Sequence, residues 1–178
     1  MVDEALAQWA EGRVEELAGA LTDRGHTLAV AESLTGGLLT EVLARGPGAS
    51  EWLRGGVVAY ASEVKHDVLG VRPGPVVSEE AALDMARGAA RVLGADIGLA
   101  VTGVGGPDPQ DDQPPGTVWM ALHEDGTTQA RLHRLPGSPA EICDATCRTM
   151  IEWARSRLLV APPSGKRATH RAPPRPAR

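Results

Sequence analysis

A serine stands between an acid and a pair of glycines in the stretch Ala31-Glu32-Ser33-Leu34-Thr35-Gly36-Gly37. Before it, Thr27 to Ala31 is short, apolar and partly β-branched, as a buried strand is; after it, Leu38 to Ala44 reads as a helix. A serine at such a strand-to-helix bend is placed to attack an acyl carbon. Backbone N–H groups at a helix start have no intrahelical partner and can hold an anion or a developing oxyanion. Adjacent glycines let a ligand approach the backbone closely. The same residues also suit a plainer use, with Ser33 or Thr35 merely capping the helix.

A second Gly-rich loop, Val101-Thr102-Gly103-Val104-Gly105-Gly106-Pro107, follows another apolar stretch, Ile97 to Val101. Both loops should open on the same edge of a sheet, where ligands of open α/β folds bind. The spacing fits neither a dinucleotide fingerprint nor a phosphate-binding loop, because the Gly-Lys-Ser/Thr element is absent. A nucleophilic serine needs a base. The histidines His26, His66, His123, His133 and His170 offer no obvious motif. Lys65 is the other candidate, just after the stretch that ends in Tyr60. A lysine serves as a base only if its ammonium is desolvated or faces another cation; otherwise it is a solvated surface residue.

The elements that must position these loops follow from periodicity and punctuation. Leu6, Trp9, Val14, Leu17 and Leu21 give a helical period over residues 3–24, stopped by Gly25. Gly56 to Ala61 reads as a second strand, and Ser62 as the N-cap of a short helix ending at Gly70. Ser78-Glu79-Glu80 opens a helix that runs to Leu93 and stops at Gly94. Thr117–His123 and Gln129–Leu135, turned at Glu124-Asp125-Gly126, read as an antiparallel hairpin. Pro139 starts a last helix reaching Leu159. Strands alternating with helices, then a hairpin, predict an α/β fold. The expectation is a single-domain α/β sandwich with a mixed, mostly parallel sheet, helices on both faces and a C-terminal β-hairpin.

A chain of 178 residues with 42 % apolar and 23 % charged residues fits one globular domain, taken here as residues 1–160. With no Phe and only 3 % aromatics, its core must be built from Leu, Val, Ala and Ile. Of the net charge of −5, residues 161–178 contribute +5 through Lys166, Arg167, Arg171, Arg175 and Arg178, which leaves −10 on the body. That segment is rich in Pro and poor in bulky apolar residues, so a disordered basic tail is expected. An acidic body is a poor nucleic-acid binder. There is no apolar run of signal-peptide or membrane-span length, so cytoplasmic residence is expected. Cys143 and Cys147 are expected to be reduced thiols on one helix.

The loops and their spacing resemble the CinA C-terminal family, the nicotinamide mononucleotide (NMN) deamidases. Ala31-Glu32-Ser33-Leu34-Thr35-Gly36-Gly37 resembles the family's A-E-S-x-T-G-G signature. The run from Gly55 to Lys65 resembles its G-x-x-x-Y-x-N-x-x-K element. Val77-Ser78-Glu79, Thr102-Gly103-Val104-Gly105-Gly106-Pro107 and Pro115-Gly116-Thr117-Val118-Trp119 match three further landmarks, in order, over about residues 5–158.

The resemblance implies hydrolysis of the NMN carboxamide to nicotinate mononucleotide and ammonia, in pyridine nucleotide recycling. It assigns Ser33 as nucleophile, Lys65 as general base and Tyr60 to proton transfer or positioning. Thr35, Gly36 and Gly37 would supply oxyanion or substrate contacts, and Thr102, Gly103 and Gly106 would line the same pocket. It implies no metal or other cofactor, and a homo-oligomer, often a dimer. Two other readings stay open: an amidase for another small amide, and a non-catalytic nucleotide- or partner-binding protein in a competence or DNA-damage setting. The chain departs from the family pattern at Ser62, usually Asn, and at Gln113, usually Lys. Gly137-Ser138-Pro139 and Cys143 replace a Gly-Asp-Arg and a following Arg, natural partners for a phosphate. Arg131, Arg134 and Arg148 lie near in sequence as substitutes.

Overall fold

Leu28–Glu32 (β1) is buried along its whole length, so it needs cover on both faces. The computed structural model, which describes residues 2–160, supplies that cover. β1 pairs in parallel with Leu53–Val58 (β2) on one side and with Ile97–Gly103 (β3) on the other. β3 pairs antiparallel with Thr117–Glu124 (β4), which pairs antiparallel with Thr127–Arg134 (β5). The order across the sheet is β2-β1-β3-β4-β5. All strands but β4 run the same way, so the sheet is mixed and mostly parallel, with the hairpin at one edge.

The two faces carry residues of different size. Leu28, Val30, Ile97, Leu99, Val118 and Met120 meet the helices Glu4–Arg24 (α1), Leu38–Ala44 (α2), Ala49–Trp52 (α3) and Pro139–Val160 (α6). The other face presents Ala29, Ala31, Ala100 and Ala121 to Ala82, Met85, Ala86 and Ala89 of Glu79–Leu93 (α5). Small residues on both sides bring α5 close to the sheet. A methyl group at Gly98 would collide with the carbonyl oxygen of Ala86. The core thus does without Phe by burying many aliphatic side chains, each worth about 1.5–3 kcal/mol when fully covered.

Most expected elements are present within a residue or two of their ends. β2 is a correction: it runs from Leu53 to Val58, where Gly56 to Ala61 was expected. Its register with β1, Leu28 opposite Leu53 and Glu32 opposite Val58, draws Leu53 and Arg54 into the sheet. The expected cap of the next helix, Ser62–Asp67 (α4), is also corrected. Ala61 holds the extended cap position, and its carbonyl accepts from the Lys65 N–H at 3.4 Å, so Ser62 is already the first helical residue. Ser78 does cap α5, its hydroxyl accepting from the Ala81 N–H at 3.2 Å. The four-residue helix α3 was not expected, being too short to show a period. The segment 161–178, read as a disordered tail, lies outside the described residues. Among those described, no helix is long and apolar enough to cross a membrane.

Candidate active site

Glu32 ends β1 fully buried, and its carboxylate organises the bend that follows. One oxygen, Oε2, accepts from the Thr35 hydroxyl at 2.7 Å, the Gly37 N–H at 3.1 Å and the Leu39 N–H at 3.0 Å. The other, Oε1, accepts from the N–H of Thr40 at 2.8 Å and from its hydroxyl at 2.5 Å. The N–H groups at the start of α2 are therefore satisfied by an acid rather than by a local cap. Gly37 occupies the cap position at φ 102°, where its lack of a side chain avoids strain. Neither Ser33 nor Thr35 caps this helix, so the plainer use of the serine falls away.

The same bonds narrow where an oxyanion can be held. The Gly36 N–H donates to Ser33 O at 3.1 Å and the Leu38 N–H to Thr35 O at 3.0 Å. With Gly37, Leu39 and Thr40 given to Glu32, every N–H from Gly36 to Thr40 is engaged within the loop. The N–H groups of Gly36 and Gly37 are thus occupied within the loop. The donors closest in the chain to Ser33 that are outside this set belong to Leu34 and Thr35. Ser33 itself is 9 % exposed.

The neighbouring strand end carries the amine. Ala59, just beyond β2, donates its N–H to Glu32 O at 2.7 Å, which fixes it beside the end of β1. Lys65, on α4, is 1 % exposed, and its Nζ donates to Ala59 O at 2.7 Å and to Tyr60 O at 3.4 Å. None of the ion pairs among the described residues includes Lys65. Burial pushes this amine below the usual lysine range, and the negative charge of Asp111 pulls it partly back. The desolvation that a lysine base requires is present. Tyr60 is different: its side chain is 76 % exposed, and only its carbonyl touches the amine.

The second loop splits into two parts. Thr102 and Gly103 lie inside β3 and are buried. The Thr102 hydroxyl donates to Val76 O at 2.7 Å. A Cβ at Gly103 would press on Thr117 O and Val118, so this glycine serves the contact of β3 with β4. Gly106, at φ 93°, stands in the loop proper. That loop closes on itself through the Gly116 N–H, which donates to Val104 O at 2.8 Å. At its tip the Asp111 carboxylate accepts from the N–H groups of Val76 at 2.7 Å and Val77 at 2.9 Å.

Glu32 and Asp111 were not singled out from the sequence. For Glu32 a signal existed, a carboxylate ending an otherwise apolar strand. Asp111, in a polar loop, gave none. The arginines offered as phosphate partners are engaged elsewhere. Arg131 stacks on Trp153 at 4.3 Å, and Arg148 pairs with Asp144 at 2.6 Å. Arg134 donates to Thr117 Oγ1 and, at 3.4 Å, to Gln113 Oε1. The half-buried Cys143 thiol donates to Leu34 O at 3.2 Å, which ties α6 to the bend. Burial pushes the thiol pKa of both Cys143 and Cys147 up, away from the reactive thiolate.

Comparison with known proteins places this arrangement among relatives. The model of the CinA C-terminal domain matches residues 11–158. A CinA-like protein of Frankia casuarinae is 44 % identical over 156 residues, covering 85 % of this chain and 36 % of the relative. A CinA-like protein of Geobacter sulfurreducens is 41 % identical over 146 residues, covering 78 % of this chain and 35 % of the relative. The chain thus spans about a third of the length of these curated relatives. The crystal structure of the competence damage-inducible protein A from Klebsiella pneumoniae superposes with a TM-score of 0.80 at 32 % identity, covering 84 % of this chain and 96 % of that one.

Proposed function

The chain belongs to the CinA C-terminal domain family, and we propose that it is a serine amidohydrolase that removes the carboxamide nitrogen of NMN as ammonia. One observation carries this reading. A buried amine with no carboxylate of the described residues in ion-pair range stands at the strand end next to the one that bears Ser33. Burial lowers the cost of reaching the uncharged form, which a base needs.

The steps follow from what an amide requires. Ser33 Oγ attacks the carboxamide carbon while Lys65 Nζ takes the hydroxyl proton. The tetrahedral oxyanion faces the N–H groups of Leu34 and Thr35; loss of one such donor typically costs about 3 kcal/mol. The C–N bond then breaks as the Lys65 ammonium returns its proton to the departing ammonia. Water, deprotonated by the same amine, attacks the acyl-enzyme; the ammonium returns that proton to Ser33 Oγ as the ester C–O bond breaks and nicotinate mononucleotide leaves. The cationic pyridinium withdraws electrons from the carboxamide and makes it more electrophilic. Tyr60, exposed beside the amine, offers a ring face to that cation. Self-association into a dimer belongs to the same reading.

The direct assay is incubation of the purified protein with NMN, with ammonia and nicotinate mononucleotide measured together. Stoichiometric release, lost in Ser33→Ala, supports the proposal. Turnover of other amides but not NMN would move the substrate. Saturable NMN binding without turnover would make the chain a binding protein.

A further inference from the structure

The peptide units that join Ser33 to Gly36 are planar and trans, so in each the C=O and the N–H point in opposite directions. Whatever holds a carbonyl therefore aims the N–H of the next residue. Ser33 O accepts from the Gly36 N–H at 3.1 Å, which fixes the unit that carries the Leu34 N–H. Thr35 O accepts from the Leu38 N–H at 3.0 Å, which fixes the unit that carries the Gly36 N–H. The middle unit, Leu34 C=O with Thr35 N–H, receives no such bond from the bend. Its carbonyl is held from outside: the Cys143 thiol of α6, 109 residues further on, donates to Leu34 O at 3.2 Å.

The side chains on either side of this unit are anchored. Leu34 packs against the core cluster that includes Ile142 and Cys147 of α6, and the Thr35 hydroxyl is given to Glu32 at 2.7 Å. The plane between them can turn about the line joining their Cα atoms without disturbing either anchor, so the anchors leave its direction open. The thiol closes that freedom. Hydroxyls on α6 turn back onto the carbonyl one turn earlier, as Thr146 does to Ile142 O and Thr149 to Ala145 O, both at 2.7 Å. Cys143 reaches out of its helix instead. Burial pushes its pKa up, so the thiol stays protonated and able to donate.

We propose that Cys143 is a positioning residue for the oxyanion donor at Thr35, aiming that N–H by holding Leu34 O. The inference rests on the reading of Ser33 as nucleophile, with the N–H groups of Leu34 and Thr35 around its oxyanion. One donor is then set by the turn of the bend and the other by a remote helix. An S–H is a weak donor, and its task here is correspondingly small: it selects one orientation of a single peptide unit.

The test measures kinetics and the directions of two N–H bonds in the same variants. Cys143→Ala removes the donor, Cys143→Val removes it and fills the space, and Cys143→Ser restores an O–H. Residual dipolar couplings in isotope-labelled protein report the direction of the Thr35 N–H, with the Leu34 N–H as internal reference. In Cys143→Ala and Cys143→Val the Thr35 coupling is expected to change while the Leu34 coupling keeps its native value. In Cys143→Ser both should be native. An oxyanion contact is made only in the transition state, so with NMN, or whichever amide the native protein hydrolyses, KM should be unchanged. In Cys143→Ala and Cys143→Val kcat should fall by about tenfold or more, and in Cys143→Ser it should stay within about threefold of native. A purely structural bond would lower the melting temperature and leave kcat as it was. A native Thr35 coupling in Cys143→Ala, or a changed coupling with native kcat, would overturn the proposal while the hydrolase reading stands. A native protein that hydrolyses no amide would overturn that reading and this role with it.

Discussion

The side-chain nitrogen of Lys65 donates to the carbonyl oxygen of Ala59 at 2.7 Å, and Ala59 is the residue whose own N–H closes the pairing of β2 with β1. A single turn of helix therefore returns the amine to the strand end from which the chain has just departed. The acceptor is a neutral carbonyl, so it orients the nitrogen without supplying the charge that would hold it protonated.

A stability effect follows from that burial. The folded-state pKa of Lys65 lies below its ordinary 10.5. The charged form is thus disfavoured by folding, and the cost is present in full below the lowered pKa. It fades as pH rises toward the unfolded value. Lys65→Met, which replaces the amine by an apolar group of similar length, is expected to raise the melting temperature at neutral pH. The gain should be roughly 2–4 °C per kcal/mol recovered, and should shrink at high pH. The same variant is expected to be inactive. Thermal unfolding across pH checks both the sign and the window.

Glu32 should be the most costly side chain of the bend to lose. Glu32→Ala strands five donors in a buried loop and is expected to cost more than about 3 kcal/mol. Glu32→Gln keeps the shape but turns an NH2 toward donors, so an intermediate loss is expected. Urea unfolding of both variants tests the order.

The side chain of Tyr60 should matter to substrate and not to fold. At 76 % exposure, its replacement by Phe or Ala is expected to change stability by less than about 0.5 kcal/mol. Tyr60→Phe retains a ring for the pyridinium and should keep kcat, whereas Tyr60→Ala should raise KM. A large fall in kcat for Tyr60→Phe would assign the phenol a part in proton transfer instead.

Two glycines of the second loop should respond oppositely. Gly103→Ala drives a methyl into the backbone of Thr117 and Val118 and is expected to cost at least about 2 kcal/mol. Gly105→Ala meets nothing nearer than Leu34 Cβ at 3.8 Å and should be tolerated. Melting temperatures of the pair separate a packing glycine from a loop glycine.

The fold was legible where local signals agreed with burial. The continuously apolar run of β1, the Ser78 cap and Gly94 stop of α5, and the Asp125-Gly126 turn each state their structure in a few residues. The ends of β2 were not legible, because its register is set by β1, a partner some 25 residues earlier in the chain. At the site, Ser33 and Lys65 could be named as candidates by residue type, and their roles come from the family resemblance. The roles of Glu32 and Asp111 could not, since each depends on backbone N–H groups that only the folded chain brings to a carboxylate. The glycines were half legible: Gly37 marks a bend by its φ, whereas Gly103 marks a contact with β4 that sequence places more than ten residues away.

The most direct test joins kinetics to titration of one atom. The pH dependence of kcat/KM for NMN hydrolysis should be recorded beside the NMR titration of Lys65 Nζ in the same protein. The account predicts a rate that climbs with pH along the Lys65 curve and levels off once the amine is uncharged. A rate that stays flat while Lys65 titrates, or that survives in Lys65→Met, would contradict it.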